Sequence, residues 1–249
     1  MRIGAQLYTV RAFTQTDQDL NETIKKLATI GYDYVQVSGI GPISVQTVAD
    51  ICDDHDIRII ITHTDPSRIK DDTEAVIEEH DLMEADYIGI GAMPSNYERT
   101  REGVQRFITD FTPAAEKIAA SGMKLMYHNH NFEFEKYYDK RMIEYLRDEF
   151  PLIGFTLDTY WVQAAGADPT EWLTRLSGRV DVVHLKDMTY KQGEVRMSEV
   201  MEGNLNWRLI IPACKMAGVK YAMVEQDECY GEDPFECLST SLENIKEML

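Results

Sequence analysis

Residues 126–134 read MYHNHNFEF, with two histidines two positions apart and a glutamate three positions after the second, among aromatic and apolar neighbours. Imidazoles and a carboxylate are costly to bury unless something compensates them. Their grouping therefore asks for a partner, either a bound cation or a proton in transfer. An extended backbone puts His128 and His130 on one face, so both can reach a single site.

The same residue types recur at the ends of other β-like runs: Thr62-His63-Thr64, Asp158 before Thr159-Tyr160-Trp161, His184-Leu185-Lys186-Asp187, and Glu225-Gln226-Asp227. Four of the six histidines lie at such ends, while His55 and His80 fall in helical stretches and read as solvated surface residues. Singly, each has a structural explanation: a satisfied histidine, a helix cap, a core tryptophan. Together, buried carboxylates and imidazoles need pairing or a divalent ion. Two Glu, one Asp and one His make a mixed oxygen and nitrogen donor set, suited to Mn, Mg, Co or Zn with positions left for substrate.

The elements that would position these groups follow from the pattern. About eight β-like runs (IGAQLYTV, YDYVQVSG, RIIITHT, DYIGIGAM, KLMYHNH, IGFTLDTYWV, VDVVHLKDM and YAMVEQD) alternate with apolar residues at helical spacing, as in LNETIKKLATIGY. Asp65-Pro66, Asp168-Pro169 and Asp233-Pro234 each place a capping side chain before a proline at the first helical position. Gly31, Gly122 and Gly218 stand where helices would end. Alternation of this kind implies parallel strands with crossover helices. Eight units over residues 1–249 predict one (β/α)8 TIM barrel domain, with its active site at the strand C-termini. No G-x-G-x-x-G follows the first strand, so no dinucleotide site is expected.

Composition narrows the partners. The net charge of −18 opposes phosphate backbones and anionic membranes, so neither nucleic acid nor a membrane is expected. No apolar run of roughly 18 residues exists that would span a bilayer. The start, MRIGAQLYTVRAF, reads as a first strand rather than a signal peptide. The four cysteines, Cys52, Cys214, Cys229 and Cys237, form no C-x-x-C pair and read as reduced thiols of a cytoplasmic protein.

HNHNFEF, LDTYW, VHLKDM and VEQD fall in order on strands five to eight and resemble the xylose-isomerase-like barrel superfamily of sugar isomerases and epimerases. The resemblance spans essentially the whole chain, in an H-N-H-x-x-E-F variant. It implies one divalent ion, manganese favoured, held by Glu, Asp, His and Glu. Asp158, His184 and Glu225 match the ligands of strands six, seven and eight, and Lys186 matches a recurring H-x-K pattern with a catalytic role. Strand five departs from the family pattern, because the usual strand-end glutamate is absent. Glu133 within N-F-E is assigned as the fourth ligand, with His128 or His130 as the alternative. The segment EGNLNW resembles the family's G-x-G-x-x-D-W loop, with Met201 in place of glycine and Asn206 in place of aspartate.

The resemblance further implies isomerisation or epimerisation of a small carbohydrate through a metal-stabilised enediolate. The family's epimerases move the proton with carboxylates, and here His128 or His130 can do so without burying another negative charge. Elimination from a keto-sugar, as in an inosose-type dehydratase or a 3-keto-C-glycoside deglycosidase, is the alternative. A non-catalytic barrel subunit comes third. A DNA-repair endonuclease would need a basic groove that this charge does not suggest. Tyr8, His63 and Trp161 are expected to contact the sugar, with Phe134 a further aromatic candidate. No phosphate cradle is evident, which favours a non-phosphorylated substrate. The sequence leaves a homo-oligomer open.

Overall fold

The eight runs become strands β1 (Arg2–Gln6), β2 (Tyr34–Val37), β3 (Arg58–His63), β4 (Tyr87–Ile90), β5 (Lys124–His128), β6 (Gly154–Asp158), β7 (Val182–Leu185) and β8 (Tyr221–Val224). In the computed structural model, which describes residues 1–248, every strand pairs in parallel with its sequence neighbours and β8 closes onto β1. This is the expected (β/α)8 barrel. Strands such as β6 and β7 are buried along their whole length, as parallel strands covered by helices must be.

The covering layer is α1 (Asp17–Ile30), α2 (Val45–Asp54), α3 (Pro66–Asp71), α4 (Thr73–Leu82), α5 (Arg101–Ala120), α6 (Met142–Glu149), α7 (Thr159–Ala164), α8 (Pro169–Arg175), α9 (Trp207–Ala217) and α10 (Pro234–Met248). In α5 the residues Val104, Phe107, Ile108, Phe111, Ala115 and Ile118 form one buried stripe, at the spacing an amphipathic helix requires. The three Asp-Pro starts cap as expected: Asp65, Asp168 and Asp233 accept the backbone N–H groups of Ser67, Thr170 and Phe235. Gly31 and Gly218 end α1 and α9 at φ of 104° and 85°, where a side chain would be strained.

The N-terminal half of the barrel interior is apolar and aromatic. Tyr87, Met126, Tyr221 and Met223 are buried there with Tyr34 against them, and the Arg2 guanidinium donates to Tyr221 Oη at 2.7 Å. The polar strand-end residues therefore meet at the other mouth, over a dry floor.

Several runs extend past the true strand ends. Leu7–Phe13 is a 3-10 helix, entered where the Gln6 side chain accepts the Tyr8 N–H. Thr159 onward is α7, because Asp158 Oδ1 caps it through the Trp161 N–H at 2.9 Å. Asp187–Lys191 leaves the barrel to pair with Glu194–Ser198 as an antiparallel hairpin. His80 is buried rather than solvated: Nδ1–H donates to the Val76 carbonyl at 2.7 Å and Nε2 accepts from Thr62 Oγ1 at 2.8 Å. Among the described residues no helix is long and apolar enough to cross a membrane.

Candidate metal centre and substrate pocket

Four side chains at or next to the C-terminal ends of strands β5 to β8 converge. One ligand atom from each of His128, Asp158, His184 and Glu225 lies within 4.8 Å of the others, and all four residues are buried. Each imidazole is oriented by its outer nitrogen. His128 Nδ1 donates to the Gly91 carbonyl at 2.9 Å, and His184 Nε2 donates to Gln36 Oε1 at 2.8 Å. The inner nitrogens are thereby turned toward the carboxylates. His128 Nε2 lies 3.4 Å from Asp158 Oδ2. His184 Nδ1 lies 2.9 Å from Glu225 Oε2 and 3.7 Å from Asp158 Oδ2, yet makes no hydrogen bond of acceptable geometry.

Lone pairs facing carboxylate oxygens repel unless a cation or a proton lies between them. Outer N–H groups anchored on carbonyls with inner nitrogens converging is the arrangement of histidines that ligate a metal. The donor set thus fits a divalent ion. The competing proton is visible in the electrostatics. Burial alone would lower the His184 pKa, but Glu225 and Asp158 outweigh it and push it up to about 9. A metal would displace that proton.

Glu133 is not part of this group, which corrects its expected role as a ligand. The residue is fully buried, and both carboxylate oxygens are occupied: Tyr127 Oη donates to Oε1 and the His130 N–H to Oε2, each at 2.7 Å. Its work is to fold the H-N-H-x-x-E turn back on itself. His128 takes the strand-five place instead. Phe134 is likewise no pocket residue; it is buried edge-on against Trp172 at 5.1 Å.

Two of the four residues, His128 and Glu225, line a cavity of about 200 Å³ together with Tyr8, His63, His130, Trp161, Lys186 and Asp227. A larger surface cavity of about 240 Å³ beside Asp56 and Arg58 opens at the start of β3, far from this convergence. Strand β5 stops at His128, so His130 reaches the pocket from the turn rather than from the strand face. Its ring stands edge-on to His128 at 4.8 Å and beside Trp161 at 5.3 Å, with Nδ1 unpartnered. Burial, then the neighbouring His128, pull its pKa down to about 3, so it is a neutral imidazole. His63 packs 5.2 Å from His128 with Nε2 unpartnered, and burial followed by His128 and His184 lowers its pKa well below the usual histidine value.

Lys186 sits at the back, fully buried, with Nζ 2.7 Å from Asp227 Oδ2 and 3.2 Å from Glu225 Oε2. Burial would lower its pKa, but Glu225, Asp158 and Asp227 outweigh it and raise it, so Lys186 is a fixed cation and not a base. Asp227 is pushed up to about 6, by burial first and then by Glu225.

Four positioning residues are not evident from strand-end spacing. Gln36 points inward from YVQV on β2, and a fully buried glutamine in an apolar strand is the signal that marks it. Asn129 Oδ1 accepts the Asp158 N–H at 3.0 Å, and Thr159 Oγ1 accepts the Lys186 N–H at 3.0 Å. Asp187 gathers the Met201, Gly203 and Leu205 N–H groups and the Trp207 indole N–H, which folds the EGNLNW loop beside the site.

A profile of the xylose isomerase-like TIM barrel matches residues 24–247. Among solved structures, a sugar phosphate isomerase/epimerase from Parabacteroides distasonis superposes with a TM-score of 0.85 at 20% identity, covering 98% of this chain and 93% of its own. A D-allulose 3-epimerase from Methylomonas sp. gives 0.73 at 15% identity over 100% of this chain and 98% of its own. A probable 3-DHS dehydratase from Bacillus anthracis gives 0.71 at 15% identity over 99% of both chains. At these identities the likeness is one of fold. No curated protein matches the sequence.

Proposed function

The chain belongs to the xylose isomerase-like TIM barrel family, and from that premise we propose that it is a divalent-metal-dependent isomerase or epimerase of a small keto-sugar. The observation that carries this reading is the convergence of His128, Asp158, His184 and Glu225 within 4.8 Å, with both imidazoles anchored from outside. These four would hold the ion; the mixed oxygen and nitrogen donors suit Mn, Mg, Co or Zn, and manganese is favoured on the family resemblance alone. When bound, it supplies Lewis-acid polarisation of the sugar carbonyl.

The chain's own residues do the rest. His130, lining the cavity with Nδ1 unpartnered, is placed to take the proton from the carbon next to the carbonyl, and its lowered pKa has to rise in the substrate complex for it to do so. Trp161 and Tyr8 give the sugar ring an aromatic wall at the cavity rim. Lys186, held charged by its carboxylate neighbours, offers N–H donors to an oxygen that gains negative charge. Return of the proton to the neighbouring carbon gives the isomer, and return to the opposite face gives the epimer.

Charge counting favours a non-phosphorylated sugar. Asp158, Glu225 and Asp227 already surround Lys186. The nearby Arg11 is spent on the Tyr8 and Asp227 carbonyls and on Glu228. Among the described residues, no other lysine or arginine lines the cavity to meet a phosphate. Elimination is the second reading. Asp227, which lines the cavity and is pushed up to about 6, can protonate a departing hydroxyl, and a fold neighbour bears the name of a probable dehydratase.

Incubation of the metal-loaded protein with keto-sugars in deuterated water tests the proposal. Deuterium at the carbon beside the carbonyl, lost on chelation and regained with manganese, is expected. Absence of exchange across free and phosphorylated ketoses and 3-keto-glycosides alike would overturn it.

A further inference from the structure

A second constellation of metal-type donors lies outside the catalytic mouth, behind the end of β8. Cys237 in the first turn of α10, Glu199 after the hairpin and Glu232 in the β8–α10 loop each bring a donor atom within 4.8 Å of the others. Cys229 lines the space beside Glu199 and Glu232 and brings a second thiol to the neighbourhood of the group. All four cysteines of the chain are free.

Beside these donors is a cavity of about 60 Å³, lined in part by Glu199, Cys229 and Glu232. Of the further polar side chains that line it, Ser198, Gln226 and Arg196 each carry one atom without a partner. Ser198 Oγ and Gln226 Oε1 have no hydrogen-bond partner, although the residues are only 8% and 4% exposed. Buried oxygens of this kind nearly always meet a partner. The cavity has room for an ion with a water, which needs only about 10–15 Å³ of probe-occupied volume. Lys191 and Arg196 line the same space and offset part of the donors' negative charge.

We propose that Cys229, Cys237, Glu199 and Glu232 form a second, structural metal site for a zinc-class ion. Thiolates beside carboxylates match the ligand preference of zinc and disfavour magnesium and calcium, which take oxygen alone. A disulfide between the two cysteines would leave both glutamates and the two orphaned oxygens unexplained. The ion would tie the hairpin, the β8–α10 loop and α10 together. That loop begins just past Glu225 and Asp227, so the site braces the strand end that carries one catalytic-mouth ligand and the Lys186 partner. The inference is independent of the catalytic reading, because the two donor groups share no residue.

Cobalt(II) titration of the full-length reduced protein separates the two sites, since only the second contains thiolates. A thiolate-to-cobalt charge-transfer band is expected. It should persist in Asp158→Asn, vanish in Cys229→Ser and Cys237→Ser, and need at least tenfold more cobalt in Glu232→Gln. Glu232 is exposed, so that variant keeps its fold and guards against a trivial loss. Zinc should quench thiol reactivity at Cys229, with one equivalent retained by Asp158→Asn. Absence of the band while both thiols titrate as free would overturn the proposal. Loss of the two thiols to a disulfide in air with zinc present would overturn it in favour of a redox pair.

Discussion

Gln36 on β2 holds His184 on β7 through a 2.8 Å hydrogen bond from the imidazole Nε2–H to the amide oxygen. The two strands are not neighbours in the closed sheet, so this bond crosses the barrel interior. It fixes which ring nitrogen faces Asp158 and Glu225. Gln36→Leu keeps the side-chain volume and removes the acceptor. Manganese affinity should fall about 10- to 100-fold, the usual effect of losing a partner that orients a ligand. Isothermal titration of the variant checks this, and unchanged affinity would show that packing alone orients His184.

The four converging residues set a linkage between metal and stability. An ion that binds only the folded state at a hundred times its dissociation constant adds about 2.7 kcal/mol. Wild-type protein should melt several degrees higher with manganese than with chelator. Asp158→Asn and Glu225→Gln should lose most of that increment together with bound metal. Equal metal content in all three proteins would make the cluster purely structural.

His130 and His128 separate in the structure, one over the site and one in it. His130→Ala should retain metal while turnover falls by roughly two to four orders of magnitude, the scale of a lost acid or base. His128→Ala should lose metal affinity as well. Metal analysis beside deuterium exchange distinguishes them; loss of metal in His130→Ala would reverse the assignment.

Glu133 carries a pH signature. Burial raises its pKa to about 7 from the ordinary 4.5, despite the hydrogen bonds from Tyr127 and His130 that favour the ionised form. The folded protein therefore holds this proton more tightly than the unfolded chain does. The stability contribution is complete below pH 4.5 and is lost as pH rises through about 7. Its size is on the order of 3 kcal/mol by linkage. Glu133→Gln should flatten the fall in denaturant midpoint over that window, and a profile parallel to wild type would refute the assignment.

Gly203 admits no side chain. A Cβ there would lie 2.4 Å from Asp187 Oδ1 and 2.5 Å from the Met188 carbonyl oxygen. Gly203→Ala should cost about 1–3 kcal/mol, as overpacking does. It should also raise hydrogen exchange at the Met201 and Leu205 amides that Asp187 holds. Unchanged exchange would mean that the loop has another anchor.

The amino-acid sequence by itself determined the barrel and the mouth at which chemistry gathers. Short apolar runs, helical apolar spacing, Asp-Pro caps and terminal glycines are local signals, and alternation forces parallel strands. His63, Asp158, His184 and Glu225 were legible for the same reason, as each stands at or next to the end of an apolar run. What each polar group faces was decided only by the tertiary structure. Glu133 and His128 lie five residues apart, and both suit a metal by type. Only packing shows that Tyr127 and the His130 amide consume the Glu133 carboxylate, while Gly91 turns the His128 lone pair inward. Gln36 is separated from His184 by 148 residues, and Cys229, Cys237, Glu199 and Glu232 come from three segments around β8. Burial, hydrogen-bond competition and charge all act through space. Spacing along a chain cannot report them until the barrel has closed.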